Sequence, residues 1–192
     1  MRPLLLASSS PYRRELLQRL RLPFECASPD IDESPRPGES AEQLVRRLAE
    51  HKARALAERF PNHLIIGSDQ AAVQGQAILG KPHTLERAHE QLKASSGGTV
   101  SFLTGLAVLD AASGRCQVDC VPFRVHFREL EDATILRYLQ AEQPFDCAGS
   151  FKAEGLGVSL FRATEGEDAT SLVGLPLIRL VDMLLAEGIQ VP

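Results

Sequence analysis

Several things are missing from this 192-residue sequence. Positive charge is not in excess: 21 Lys and Arg stand against 25 Asp and Glu, for a net charge of −4. That balance argues against broad, charge-driven binding to nucleic acid or to a membrane surface. No segment approaches the roughly 18 consecutive apolar residues of a membrane span. The first residues, MRPLLLA, resemble the start of a secretory signal, but their apolar core is too short, and serines, a proline and two arginines follow at once. The four cysteines (Cys26, Cys116, Cys120 and Cys147) contain no CxxC pair. Cys116 and Cys120 fall four apart in a strand-like segment, and no histidine pair at zinc spacing accompanies them. Buried, reduced thiols in a cytoplasmic protein are expected. No internal repeat, low-complexity tract or G-x-G-x-x-G fingerprint is present.

What remains is an ordinary globular composition, 44% hydrophobic and 24% charged, in a chain long enough to bury a full core. Periodicity places a buried strand at Leu4–Ala7, a helix at Pro11–Leu20 and a strand at Pro23–Ala27. A proline-rich acidic loop, SPDIDESPRPGES, comes next. Ser40 and Gln43 form a capping-box pattern opening a helix that is expected to run to Arg59. Leu64–Ser68 reads as a strand ending at Asp69, followed by a hairpin around Gln74–Gly75–Gln76 and a helix capped by Thr84. Two long strands, Thr99–Leu109 and Arg115–Phe127, precede helices near Asp132–Ala141 and Pro176–Glu187. This order, alternating at first and then dominated by a hairpin, predicts an α/β fold with a mixed sheet.

Six features break the pattern. At LLLASSSPYRRELL a strand hands over to a helix amid hydroxyls and guanidinium groups. One reading is a capped helix, with Ser10 at the N-cap and Pro11 in the first position; the other is an anion site at a helix N-terminus. Lys52 falls between Leu48 and Leu56, in the middle of the apolar stripe of its helix, so it either snorkels or serves as a cation facing a cleft. Asp69 follows the run LIIGS and is either a turn former or a metal ligand or base at the ligand-binding edge of a sheet. Glu33, with Asp30 and Asp32, is a solvated loop acid or the second carboxylate of a Mg²⁺ site. The stretch from Gly75 to Lys81 imitates a P-loop, but Pro82 stands where Ser or Thr is required, and the interval reads as a hairpin strand. Lys81 remains a candidate phosphate contact. Finally, GSFKAEGLG offers glycines for close backbone approach, together with Lys152 and Glu154.

Taken together, LASSSPYRRELL, DES, RLAEHKA, GSDQ, GKP, CAGSFKAEG and VGLPL resemble, in order and over nearly the whole chain, the Maf family of nucleoside triphosphate pyrophosphatases. The resemblance implies a single Maf-type domain over residues 1–192, with an elongated mixed sheet of the Maf and ITPase kind, flanking helices, and two lobes around an active-site cleft. It implies that Ser8, Arg13 and Arg14 hold the triphosphate, that Lys52 and Lys81 neutralise phosphate charge, and that Glu33 and Asp69 bind Mg²⁺ or Mn²⁺, Asp69 also accepting a proton from water. Tyr12, Gln70 and Glu154 stand where the dTTP/UTP-hydrolysing branch has arginine, threonine and glutamine, which points to the branch acting on 7-methyl-GTP. A tyrosine ring suits a cationic base, and a carboxylate suits the guanine N1–H and N2–H₂ edge. The alternatives are a dTTP/UTP pyrophosphatase and a nucleotide-binding regulator of cell division. A cytoplasmic homodimer that engages neither nucleic acid nor membrane is further implied.

Overall fold

The computed structural model describes residues 2–191. Seven strands form one mixed sheet: β1 (Leu4–Ala7), β2 (Phe24–Ala27), β3 (Leu64–Gln74), β4 (Ala77–Leu79), β5 (Thr99–Asp110), β6 (Cys116–Phe127) and β7 (Phe161–Glu165). Their order is β2-β1-β3-β5-β6-β7, with β4 paired to β3. The β1 strand is parallel to both β2 and β3, whereas β3–β4 and β6–β7 are antiparallel. The helices are α1 (Pro11–Gln18), α2 (Ala41–Arg54), α3 (Leu85–Ser95), α4 (Asp132–Glu142), α5 (Ala169–Val173) and α6 (Leu177–Ala186). The mixed α/β class expected from the element order is the class observed.

The chain divides into two compact units. The first comprises Met1–Gln70, Leu103–Val121 and Asp168–Pro192. Its core joins Leu4 and Leu6 of β1, Leu16 and Leu17 of α1, Leu64 and Ile66 of β3, Leu106 and Val108 of β5, and Leu180, Met183 and Leu184 of α6. Alternate residues of β1 serve the other face: Leu5 and Ala7 pack with Ala53, Leu56, Ile65 and Leu109. A strand buried on both sides reads as a continuous apolar run, which is why LLLA is legible in the sequence. The second unit comprises Ala71–Phe102 and Pro122–Glu167. Within it Phe151 meets Phe102, Phe127 and Phe161 edge to face, with centroids 5.2–5.5 Å apart.

Four expectations are corrected. The α2 helix ends at Arg54, and residues 55–59 form turns instead of the helix expected as far as Arg59. The strand expected to stop at Asp69 continues to Gln74, so Asp69 lies inside β3; however, the paired register with β1 runs out at Leu6–Ile66. Asp69 thus stands just past the end of its parallel neighbour, which keeps it near the carboxyl edge of that part of the sheet. The cysteines are not fully buried: Cys26 is exposed, and Cys116, Cys120 and Cys147 are half-buried, all four as free thiols. Burial nonetheless pushes the thiols of Cys116 and Cys120 up to about 11 and that of Cys147 up to about 12. Finally, β7 and α5 were not anticipated: FRATE has little apolar content, and five-residue helices carry too few turns to show a period.

Candidate active site

The strand-to-helix turn after β1 forms as its residues dictate. Ser10 is the N-cap of α1, its hydroxyl accepting from the Arg13 N–H at 3.4 Å, and Pro11 occupies the first helical position. Ser8, almost buried, accepts from the Ser10 N–H at 3.1 Å through its hydroxyl oxygen. Capping therefore accounts for Ser10 and Pro11, but not for the arginines. Arg13 turns inward, and its Nε donates to the Gly174 carbonyl at 2.8 Å. The same carbonyl accepts from the buried Ser68 hydroxyl at 2.9 Å. Burial holds the Arg13 guanidinium below its ordinary pKa, while the charges of Asp69 and Glu33 pull it back up. Arg13 thus lies in the field of both candidate catalytic carboxylates. Arg14 is one step of about 100° around the helix. It lines a pocket of ≈ 470 Å³ with Gln18, Phe24 and Cys26, a lining that includes none of Ser8, Arg13, Lys52 or Asp69.

The α2 helix delivers Lys52. Leu44, Val45, Leu48, Ala49 and Ala53 form its buried face, and Lys52 shares that face at 7% exposure. The side chain does not snorkel to solvent. Its Nζ donates to Asp69 Oδ1 at 2.7 Å and stands 3.1 Å from Glu33 Oε1. One ammonium thereby gathers a carboxylate from β3 and another from the acidic loop. The approach that permits this rests on two glycines that sequence reasoning passed over. A Cβ on Gly67 of β3 would lie 2.0 Å from the Ala49 carbonyl oxygen, and one on Gly105 of β5 would lie 2.1 Å from that of Val45. Backbone of α2 therefore rests directly on the sheet, one turn before Lys52. A lone glycine in a strand is the signal that could have revealed this contact.

Ser8, Arg13, Lys52, Asp69 and Glu33 are all residues of the first unit, and Lys52 brings Asp69 and Glu33 together. Gln70 belongs to it too, but its amide is already engaged. Gln70 Nε2 donates to Thr104 Oγ1 at 3.1 Å and to the carbonyls of Ser171 and Leu172 at 2.8 and 3.1 Å. The side chain thus ties α5 to the strand that carries Asp69. Asp168 completes that support, a role the sequence did not suggest: one carboxylate oxygen accepts from the Thr170 N–H at 2.9 Å and the other from the Ile178 N–H at 2.8 Å, capping α5 and α6 together. Tyr12 is half-buried in the first turn of α1.

Lys81 and Glu154 belong to the second unit, and both are exposed. GKP is not a P-loop: β4 pairs antiparallel with β3 in a hairpin whose two-residue turn is Gly75–Gln76. The Gly80 carbonyl, beside Lys81, accepts from Gln91 Nε2 at 3.1 Å. The segment carrying Glu154 is braced from α4. Tyr138 Oη accepts from the Lys152 N–H at 2.9 Å, and one turn later Glu142 Oε2 accepts from the Leu156 N–H at 2.6 Å.

Among the described residues no group of three or more His, Cys, Asp or Glu side chains forms a self-sufficient metal site. The pair that does converge, Asp69 and Glu33, supplies only oxygen donors, and Lys52 engages one oxygen of each. Mg²⁺ is usually held by one or two carboxylates, the rest of its shell coming from water and substrate phosphate. The donor set fits that kind of ion, and it does not fit a zinc site. No helix among the described residues is long and apolar enough to cross a membrane.

Comparison with known proteins places this geometry in context. The family model described as "Maf-like protein" matches residues 3–187. A protein of Pseudomonas fluorescens (strain Pf0-1) named 7-methyl-GTP pyrophosphatase is 73% identical over 192 residues, covering all of both chains. The same name is carried by a Pseudomonas aeruginosa protein, 73% identical over the full length of both chains. An Alkalilimnicola ehrlichii protein of that name is 60% identical over 186 residues, covering 97% of this chain and 94% of its own.

Proposed function

The chain belongs to the Maf-like family, and from that premise we propose that it is a nucleoside triphosphate pyrophosphatase cleaving 7-methyl-GTP to 7-methyl-GMP and pyrophosphate. The observation that carries this reading is the shared ammonium of Lys52, which gathers Asp69 and Glu33 beside Arg13. Such an array suits a polyanion that arrives with a divalent cation.

In this reading Ser8 and Arg13 hold phosphate oxygens at the start of α1, where free helix N–H groups and the helix dipole favour negative charge. Lys52 neutralises charge on the reacting phosphate, and Lys81 is assigned a further phosphate by the family resemblance. Because Lys52 already engages Oδ1 of Asp69, Oδ2 is the oxygen that takes the proton from the attacking water. The water oxygen bonds to the α-phosphorus, the bond from that phosphorus to the α–β bridging oxygen breaks, and pyrophosphate leaves with the bonding electrons. Positioning and charge stabilisation do most of the work in phosphoryl chemistry of this kind. Glu33 and Asp69 would hold Mg²⁺ or Mn²⁺, which when bound supplies further neutralisation of the phosphates. Tyr12 and Glu154 are assigned to the base, as stacking ring and hydrogen-bond acceptor. Gln70 acts one step away, by fixing α5 to β3. The reading extends to a homodimer in the cytoplasm, supported by the family resemblance.

The test is pyrophosphate release from purified protein with Mg²⁺ and, side by side, 7-methyl-GTP, GTP, dTTP and UTP. The highest kcat/KM is expected for 7-methyl-GTP. Faster dTTP or UTP hydrolysis would overturn the base assignment, and tight binding of every nucleotide without turnover would point to a regulator of cell division.

A further inference from the structure

The loop carrying Glu33 has no regular structure between β2 and α2, and its three prolines remove backbone donors that might have anchored it. Something else must fix the place where Glu33 meets Lys52. The attachment comes from Arg47, on α2. Its Nε donates to Glu39 Oε1 at 2.5 Å and its Nη2 to Glu39 Oε2 at 2.7 Å, a two-pronged fork on one carboxylate. The same Nη2 reaches the Ser34 carbonyl at 3.1 Å, one residue from Glu33. Glu39 in turn accepts from the Arg36 N–H at 2.9 Å, folding the loop's second half onto itself. On the other flank, the Ser34 N–H donates to Asp32 Oδ1 at 2.9 Å.

The side chains of Arg47 and Glu39 are only 12% and 7% exposed, so this is no solvated surface pair. Glu33, by contrast, has a 58% exposed side chain. Nothing in its own burial confines it, and a solvated carboxylate on a loose loop would spend little time beside Lys52. Lys52 and Arg47 lie five residues apart on one rigid helix, so a single element sets both the cation that Glu33 meets and the anchor that brings it there.

We propose that Arg47 is a positioning residue for the hydrolytic site: its guanidinium, closed on Glu39 and the Ser34 carbonyl, holds the acidic loop so that Glu33 stands beside Lys52 and Asp69. The inference rests on the catalytic reading of Glu33 given above. Lysine at position 47 cannot replace the fork, because an ammonium is a point donor without the planar bidentate geometry.

The test is a double-mutant cycle on the purified full chain, read as kcat and KM for 7-methyl-GTP. Arg47→Ala is expected to lower kcat about 10- to 100-fold, as loss of a supporting group around a metal ligand does. Glu33→Gln is expected to lower it at least as much. In the Glu33→Gln background, Arg47→Ala should change kcat less than about twofold, since an effect transmitted through Glu33 cannot be lost twice. Hydrogen exchange of residues 30–39 should quicken in Arg47→Ala. Glu39→Gln removes the partner from the loop side, so the helix is left untouched should Arg47→Ala disturb it; this variant should reproduce the loss. Equal losses in both backgrounds, or full kcat in both Arg47→Ala and Glu39→Gln, would overturn the proposal. Full activity of Glu33→Gln alone would overturn the underlying role of Glu33, a different result.

Discussion

Replacing Gly67 with alanine tests how closely α2 must lie on the sheet for Lys52 to reach Asp69. The new Cβ would stand 2.0 Å from the Ala49 carbonyl oxygen, whereas ordinary contact begins at 3.4 Å, so helix and strand must part by about 1.4 Å. The clashing atom is backbone and cannot swing aside. Gly105 of β5 makes a like approach, a Cβ there lying 2.1 Å from the Val45 carbonyl oxygen, so α2 is seated closely on two strands. Overpacking usually costs about 1–3 kcal/mol, and a clash of backbone with backbone belongs at the upper end. For a chain of this size that lowers the Tm by about 6–12 °C. Lys52, three residues beyond Ala49, moves outward with the helix and loses part of its 2.7 Å bond to Asp69. A misplacement near 1 Å costs up to about 100-fold in turnover. Differential scanning fluorimetry gives the first quantity, and pyrophosphate release measured well below the melting point gives the second. A Gly67→Ala protein that melts within about 2 °C of the parent and turns over at the parent rate would refute the account of α2 packing.

Asp69→Asn should keep the fold and lose about 10²- to 10⁴-fold in kcat, the usual worth of a general base, as read by pyrophosphate release and circular dichroism. Glu154→Gln should lower the preference for 7-methyl-GTP over dTTP while changing the better substrate's kcat less; an unchanged substrate profile would remove Glu154 from base recognition. A third variant concerns stability and pH. Burial pushes the Glu187 carboxyl up, but bonds from Arg115, Gln117 and Arg2 outweigh it and hold its pKa below the ordinary 4.5. A group depressed in the folded state stabilises above its unfolded pKa and stops doing so as the pH falls through its folded value. Glu187→Gln should therefore cost about 1–3 kcal/mol at pH 7, and urea midpoints of the two proteins should draw together as the pH falls below 4.5 and through the folded-state pKa of Glu187.

Much of this fold was legible because its strongest signals are local. The capping box at Ser40 and Gln43, the Ser10–Pro11 start of α1 and the apolar run of β1 depend on neighbours in sequence, and all three are where the pattern puts them. Lys52 was legible for the opposite reason: a charge on a buried stripe contradicts its surroundings and so advertises a partner. What the sequence concealed depends on distant backbone. The β3 strand runs on past Asp69 because β4 pairs with its last residues, a fact invisible at LIIGSD. Arg47 looks like one more exposed arginine until the acidic loop folds back to meet it. Gln70, read as a specificity residue from the branch comparison, also holds a helix about 100 residues away in sequence.

The first unit is assembled from three separate stretches of chain, and this has a consequence for synthesis. Its core sets Leu4 and Leu6 against Leu180 and Leu184, so β1 waits for α6, which is made only after the second unit. The second unit, by contrast, is complete once Glu167 has been made. During translation α1 can cover part of the face carrying Leu4 and Leu6 early, through Leu16 and Leu17, but the part that α6 covers stays open until Leu177–Ala186 has been made. Contacts that close long loops form late, so the unit that holds Lys52, Asp69 and Glu33 is the one that relies longest on protection from aggregation.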